Sequence, residues 1–277
     1  MPVIARYALV TLIPALLIAL GATTWGPAGV VALVWLTLVA AGMDHLLAPP
    51  TRDDGDHAPW ADRLSLGLGL IHLALVPLVL AGLSDPSLGA GQALALLLAT
   101  ASFMGQVSHP NAHELIHRRA PGLRAVGAAV YTSVGFGHHV SAHRLVHHRH
   151  VGTERDPNTP LPGESFWAYL PRAWRGSFQA GLACEIDRLA RRGRPGHSLR
   201  NPYLLWVGGA ALALGLSAWL GGIGGLLALI VLGALFGLQV LLSDYVQHYG
   251  LQRLEMANGR VEPVAPHHSW NAPRGFS

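Results

Sequence analysis

Six long runs of Leu, Ala, Val and Gly leave this chain few folds to choose from. They lie at residues 7–22, 29–47, 64–83, 88–107, 203–220 and 223–242. A helix rising about 1.5 Å per residue crosses a hydrocarbon core in about 20 residues, and a segment in lipid must satisfy its backbone polar groups internally. The runs therefore predict an all-α integral membrane protein with six transmembrane helices. The composition agrees: 51% of the residues are hydrophobic and 12% charged, against about 25% charged in a soluble domain.

The breaks between runs are turn-like. Thr24-Trp25-Gly26-Pro27 makes the first two runs a hairpin with an interfacial Trp. Pro49 to Arg63 is a polar loop, Ser84-Asp85-Pro86 a short outer turn, and Gly221-Gly222 the turn between the last two runs. The N-terminal run leads into a second run after a short turn, which favours a retained span over a cleaved leader. Residues 125–137 are apolar but too short to cross, as for a buried or re-entrant helix. Residues 164–194 mix aromatics with Arg, as in an amphipathic interfacial helix; a docking face for a redox partner is compatible with that pattern. One domain over 1–277 follows, with four spans in 7–108, a histidine-rich segment at 109–202, two spans in 203–250 and a tail at 251–277.

The net charge is +4, and all nineteen basic residues are Arg. Thirteen of them fall between residues 109 and 202. Basic residues concentrate in loops on the cytoplasmic side, so the asymmetry predicts the N-terminus, the 49–63 loop, the histidine segment and the C-terminus on the cytoplasmic side of a bacterial inner membrane. It accounts for the charge without nucleic acid. The single cysteine, Cys184, excludes an intrachain disulfide, a four-cysteine zinc site and a built-in iron–sulfur centre.

Nine of sixteen histidines crowd into residues 109–150. His113-Glu114-Leu115-Ile116-His117 places two imidazoles at i and i+4, one helix face, where they can share a metal. The same pattern serves zinc proteases, with the Glu as base. His143-Arg144-Leu145-Val146-His147-His148 repeats the i, i+4 spacing and turns His148 to an adjacent face. His248 lies at the inner end of the last run, and ionisable residues near a span are expensive and functional. Five to six histidines exceed one tetrahedral zinc and point to two metals; imidazole suits iron, zinc, copper or nickel. An all-histidine set at the mouth of a lipid-embedded bundle favours iron that activates oxygen. Glu114, Asp156 and Asp244 are candidates to fix imidazole tautomers from outside. His138, His139 and His150 are weaker. His45, His57, His72, His109, His197, His267 and His268 have no partner spacing, and His72, inside the third run, reads as a packed, hydrogen-bonded histidine.

HELIHR, HRLVHHRHVGTERDPNT, DYVQHYGLQR and HHSWN, in that order over roughly residues 100–275, resemble the membrane-bound alkane 1-monooxygenases and xylene monooxygenases. The resemblance implies a non-haem di-iron hydroxylase. Such an enzyme inserts one atom of O2 into a terminal C–H of an alkane or an alkyl-aromatic methyl and releases the other as water. Electrons come from a rubredoxin or ferredoxin-type donor with its reductase. The ligands carried over are His113, His117, His143, His147, His148 and His248. The family pattern has an acidic residue where this chain has Ala142, and a last HSDHH-type box downstream of HSWN. The given sequence ends at Ser277, so the resemblance places the remaining ligands beyond it. Three other readings use parts of the same pattern: a lipid desaturase or fatty acid hydroxylase, a membrane zinc protease built on HELIH, and a metal-binding or transport protein.

Overall fold

The computed structural model describes residues 3–24, 26–42, 58–254, 256 and 260–270. Trp25, His45, His57, the second run beyond Gly42, most of the 49–63 loop and the end of the tail lie outside the described residues. The helices are α1 (Val3–Thr23), α2 (Ala28–Gly42), α3 (Ala58–Leu83), α4 (Ala90–His117), α5 (Pro121–Ser133), α6 (residues 139–150), α7 (Phe166–Ala190) and α8 (Tyr203–His248).

Among the described residues, α1, α3, α4 and α8 are long and apolar enough to cross a membrane. The structure thus gives four candidate spans where the runs predict six. Helix α2 is apolar but shorter, described only to Gly42. The fifth and sixth runs are joined in α8, whose helical geometry fails at Gly221 (φ −134°, ψ 18°) and Gly222 (φ 59°, ψ −146°). The Gly222 conformation is open essentially to glycine alone. A Cβ on Gly225 would lie 2.4 Å from the Ser217 carbonyl oxygen, yet residues eight apart in a straight helix are separated by about 12 Å. The chain therefore reverses at the two glycines predicted to turn it.

The molecule divides into two compact units. The first runs to Val134 and includes Ala211–Phe236. In it α1 packs on α2, α3 and α4, and α5 packs on α3 and the end of α4. The predicted short apolar helix is α5. It lies so close to α4 that a Cβ on Gly127 would sit 2.8 Å from Leu115 Cβ and 2.9 Å from the Ala112 carbonyl oxygen. His72 is buried on α3, with Nε2 3.0 Å from Ser133 Oγ. That hydroxyl already donates to Val130 O, so His72 donates to it: a packed histidine, as its place in an apolar run suggests.

The second unit comprises Gly135–Ala210 and Gly237–Ala272. Its organising element is α7, the helix of the Arg- and aromatic-rich segment, capped by Ser165 Oγ accepting from Ala168 N–H. Helix α7 buries Tyr169, Ala173, Ser177, Gly181, Glu185 and Leu189, one residue in every four. Gly181 lets α6 come close, since a Cβ there would lie 3.1 Å from Ala142 N. Ser141 donates to the Glu185 carboxylate (2.9 Å) and accepts from Trp206 Nε1 (3.1 Å), and Glu185 pairs with Arg188 at 2.7 Å.

Candidate metal centre

The first histidine box ends α4. Helix α4 continues out of its apolar run through a π turn at Met104–Ser108, with His109 N–H bonding back to Met104 O. On its last two turns the His113 and His117 rings lie 4.9 Å apart, with ligand atoms within 4.8 Å of each other. The i, i+4 spacing thus brings the pair together as HExxH predicts. Ala112, Leu115 and Ile116 bury the opposite side. One turn earlier, His109 Nδ1 is 2.9 Å from the hydroxyl of fully buried Tyr131. Glu114 does not support an imidazole in any described contact: it is exposed and faces Arg118 at 3.7 Å.

The second box occupies α6 in the other unit. Residues His143–His147 form a π turn, His148 N–H bonding to His143 O across five residues. Such turns recur at functional sites, and here the widened turn has a direct effect. The His143 ring is 5.1 Å from His147 and 4.4 Å from His148, so both neighbours meet it; the ligand atoms of His143 and His148 lie within 4.8 Å. A regular helix would have sent His148 to an adjacent face, as the spacing alone suggested. His139 extends the column, stacked 5.0 Å from His143. His138 is buried against Phe136 and Phe178, and burial pushes its pKa down to about 4, which leaves it neutral.

The DPNT segment is built around His147. Asp156 Oδ2 lies 2.9 Å from His147 Nδ1 and accepts from Thr159 Oγ1 at 2.8 Å, while Asp156 Oδ1 accepts from Asn158 N–H at 3.1 Å. Burial opposes a charge on His147. The Asp156 carboxylate, through charge and hydrogen bond, and Asp244 behind it outweigh burial and push the imidazole up to about 9. Asp156 is correspondingly held below the usual carboxylate range, His147 overcoming its burial. Asn158 Nδ2 donates to Asp244 Oδ2 at 2.6 Å. Tyr169 donates to Asn158 O, and Arg172, paired with Glu164, donates to Pro157 O and Thr159 O.

His248 ends α8, its ring 5.0 Å from His147. Its Nδ1 is 2.9 Å from the His268 carbonyl oxygen, so Nδ1 carries the hydrogen. The HHSW segment is itself fixed on that helix end: Trp270 donates to Gln247 O and Tyr249 O. Glu262, His267 and His268 also bring potential ligand atoms within 4.8 Å. However, His268 Nδ1 accepts from Ala265 N–H and its Nε2 donates to Glu262. That imidazole is satisfied without an ion.

The donor set fits a first-row metal. His147 and His248 have Nδ1 engaged by a carboxylate and a carbonyl, which leaves Nε2 available to a metal, the arrangement metal-binding histidines adopt. Spacing found the pairs; it missed Asn158, Thr159, Tyr169 and the His268 carbonyl, whose partners lie up to 86 residues away. The turn residues of DPNT and the SW pair were the visible signal for them.

The fatty acid desaturase family matches residues 89–277. Alkane 1-monooxygenase 2 of Pseudomonas aeruginosa is 33% identical over 182 residues, covering 65% of this chain and 48% of that protein. Alkane 1-monooxygenase 1 of Alcanivorax borkumensis is 34% identical over 207 residues, 73% of this chain and 50% of that protein. The xylene/toluene monooxygenase hydroxylase component of Pseudomonas putida is 29% identical over 191 residues, 68% of this chain and 49% of that protein. The chain thus spans about half the length of the curated relatives it matches. With its histidine boxes, its apolar helices and a match over most of its length, the chain belongs to the fatty acid desaturase family and is similar within it to the alkane and xylene monooxygenases.

Proposed function

We propose that this chain is the membrane hydroxylase component of an O2-dependent terminal hydroxylation. The reaction converts an alkane or alkyl side chain, O2, two electrons and two protons into a primary alcohol and water. In this reading His113, His117, His143, His147, His148 and His248 are among the ligands of two non-haem iron ions, which would supply the oxidising power for C–H cleavage when bound. Asp156 and the His268 carbonyl orient the imidazoles of His147 and His248; Asp244 acts one step further out. The electrons come from a rubredoxin or ferredoxin-type donor with its reductase. Six spans, with the N-terminus and histidine segment on the cytoplasmic side of a bacterial inner membrane, accord with the Arg asymmetry.

The observation that carries the reading is the joint pattern of histidines at metal-sharing distances and imidazoles with Nδ1 already engaged. A cavity in the first unit adds support for an apolar substrate. It measures about 680 Å³ and is walled by Val10, Leu36, Leu68 and Val107, with Gln106 and Glu114 among its few polar groups. That size is within the range of about 300–1,000 Å³ typical of small-molecule sites. Its walls bind and desolvate an unbranched chain, so Val107→Phe should shorten the preferred alkane. Unchanged chain-length selectivity would remove the cavity from the reading.

The deciding experiment places the full-length chain in membranes with rubredoxin and reductase, and measures metal content together with O2-dependent octane hydroxylation. Two irons per chain and 1-octanol are expected, and His147→Ala should abolish iron loading. One zinc per chain without hydroxylation would overturn the proposal in favour of a HELIH protease.

A further inference from the structure

We propose that Asn158 is a positioning residue for the metal centre: its carboxamide holds Asp244, and with it the inner end of α8, at the spacing that lets His147 and His248 serve the same ion. The inference rests on the functional reading above and extends it to a residue that supplies no ligand.

A hydrogen-bonded path leads from the His147 imidazole to the helix that carries His248. From His147 Nδ1 it passes to Asp156 Oδ2 (2.9 Å), then from Asp156 Oδ1 to the Asn158 N–H (3.1 Å), then from Asn158 Nδ2 to Asp244 Oδ2 (2.6 Å). Asp244 and His248 are four apart on α8 and so share a face. The far side of His248 is closed by the His268 carbonyl. Asn158 and Asp156 are each 2% exposed and Asp244 is 8% exposed. A carboxylate buried this deeply needs a partner. The type of partner is constrained as well. A Lys or Arg at 158 would place a cation beside bound metal ions, and a carboxylate would repel Asp244. A neutral donor avoids both.

The backbone of the turn does not depend on that side chain. Tyr169 donates to Asn158 O at 3.1 Å, Arg172 donates to Pro157 O at 2.9 Å and Thr159 O at 3.1 Å, and Gly152 N–H donates to Thr159 Oγ1 at 2.9 Å. The carboxamide is therefore left with one described task, the bond to Asp244. This separates positioning from simple maintenance of the fold.

The test uses the full-length chain in detergent or membranes, loaded with ferrous iron, as wild type, Asn158→Ala, Asn158→Asp and the exchange Asn158→Asp/Asp244→Asn. Two quantities are read: iron affinity against a graded chelator, and the electron paramagnetic resonance spectrum of the nitric oxide adduct of the ferrous centre. Asn158→Asp sets two carboxylates face to face and should lower iron affinity tenfold or more, within the range of about 10–100-fold seen when outer partners of metal ligands are lost, and should alter the spectrum. Asn158→Ala should show a smaller loss of affinity with unchanged helicity. The exchange rebuilds the hydrogen bond with donor and acceptor reversed, and should return affinity to within about twofold of wild type and restore the spectrum. If Asn158→Asp does not fold, Asn158→Ala against the exchange decides the matter. The inference is overturned if the Asn158 variants match wild type in both readouts, or if the exchange is no better than the more damaged single variant. Wild-type chain that takes up no iron overturns the functional reading beneath it instead.

Discussion

The two histidine boxes reach similar ring spacings by different means. On α4 the pair His113–His117 continues a long apolar helix, and within its unit the box is held by shape: Ala112, Leu115 and Ile116 press against α5 at Gly127. On α6 the box is short, interrupted by a π turn, and surrounded by polar partners from DPNT, α7 and the end of α8. A packed apolar contact responds first to changes of volume. A buried polar network responds also to the loss of a partner, because a group left unsatisfied costs more than the bond contributed. The first box should therefore fail to steric change and the second to chemical change.

Asp156→Ala is the strongest way to break that contrast. It removes the acceptor of His147 and strands Thr159 and the Asn158 N–H, so iron affinity should fall by about 10–100-fold in a chelator titration, while His113 and His117 keep their geometry. A loss under about twofold would place the second box on the same footing as the first. Gly127→Ala is the converse change. Its Cβ meets Leu115 Cβ at 2.8 Å and backbone at 2.9 Å, and overpacking of this kind costs about 1–3 kcal/mol. Thermal unfolding should fall accordingly, with the first box displaced and no charge altered; an unchanged melting temperature would show that α4 and α5 can part freely.

The smallest effect sharpens the comparison through pH. Burial holds His138 at about 4, below its ordinary value near 6.5. A histidine whose folded pKa is depressed adds nothing to charge at neutral pH. Its neutral form is favoured above about 6.5, and stability is lost as pH falls from there toward 4, because the unfolded chain takes up the proton first. His138→Phe should flatten the metal-free chain's stability over that window, measured by chemical unfolding at pH 7 and pH 5. An equal acid sensitivity in the variant would assign it to other groups.

What could be read from the chain follows the same division. Periodicities confined to one helix were visible: His113 with His117, His143 with His147, and the Gly221–Gly222 reversal all depend on residues close in sequence. The π turn at 143–147 was not, because nothing in HRLVH distinguishes an i+5 bond from an i+4 bond until α6 is packed against α7. The acidic roles were only partly legible. Asp156 stands nine residues after His147 and meets it, whereas Glu114, adjacent to His113, turns away to Arg118. Asn158 looked like a turn residue; its partner Asp244 comes from another helix, and no local pattern encodes that meeting.

The one-in-four stripe on α7 has a mechanical meaning. Four residues turn an α-helix by about 400°, so each step along the stripe advances about 40°, and the five steps from Tyr169 to Leu189 sweep about 200°. The helix is wrapped as a spindle is by thread: Tyr169 and Gly176 meet the DPNT turn near one end, and Gly181 and Glu185 meet α6 further along, around the barrel. Rolling such a helix about its own axis would drive the turn and α6 at once and in a fixed ratio. The supports of His147 and the backbone that carries it are thereby geared together, and neither can be retuned without the other.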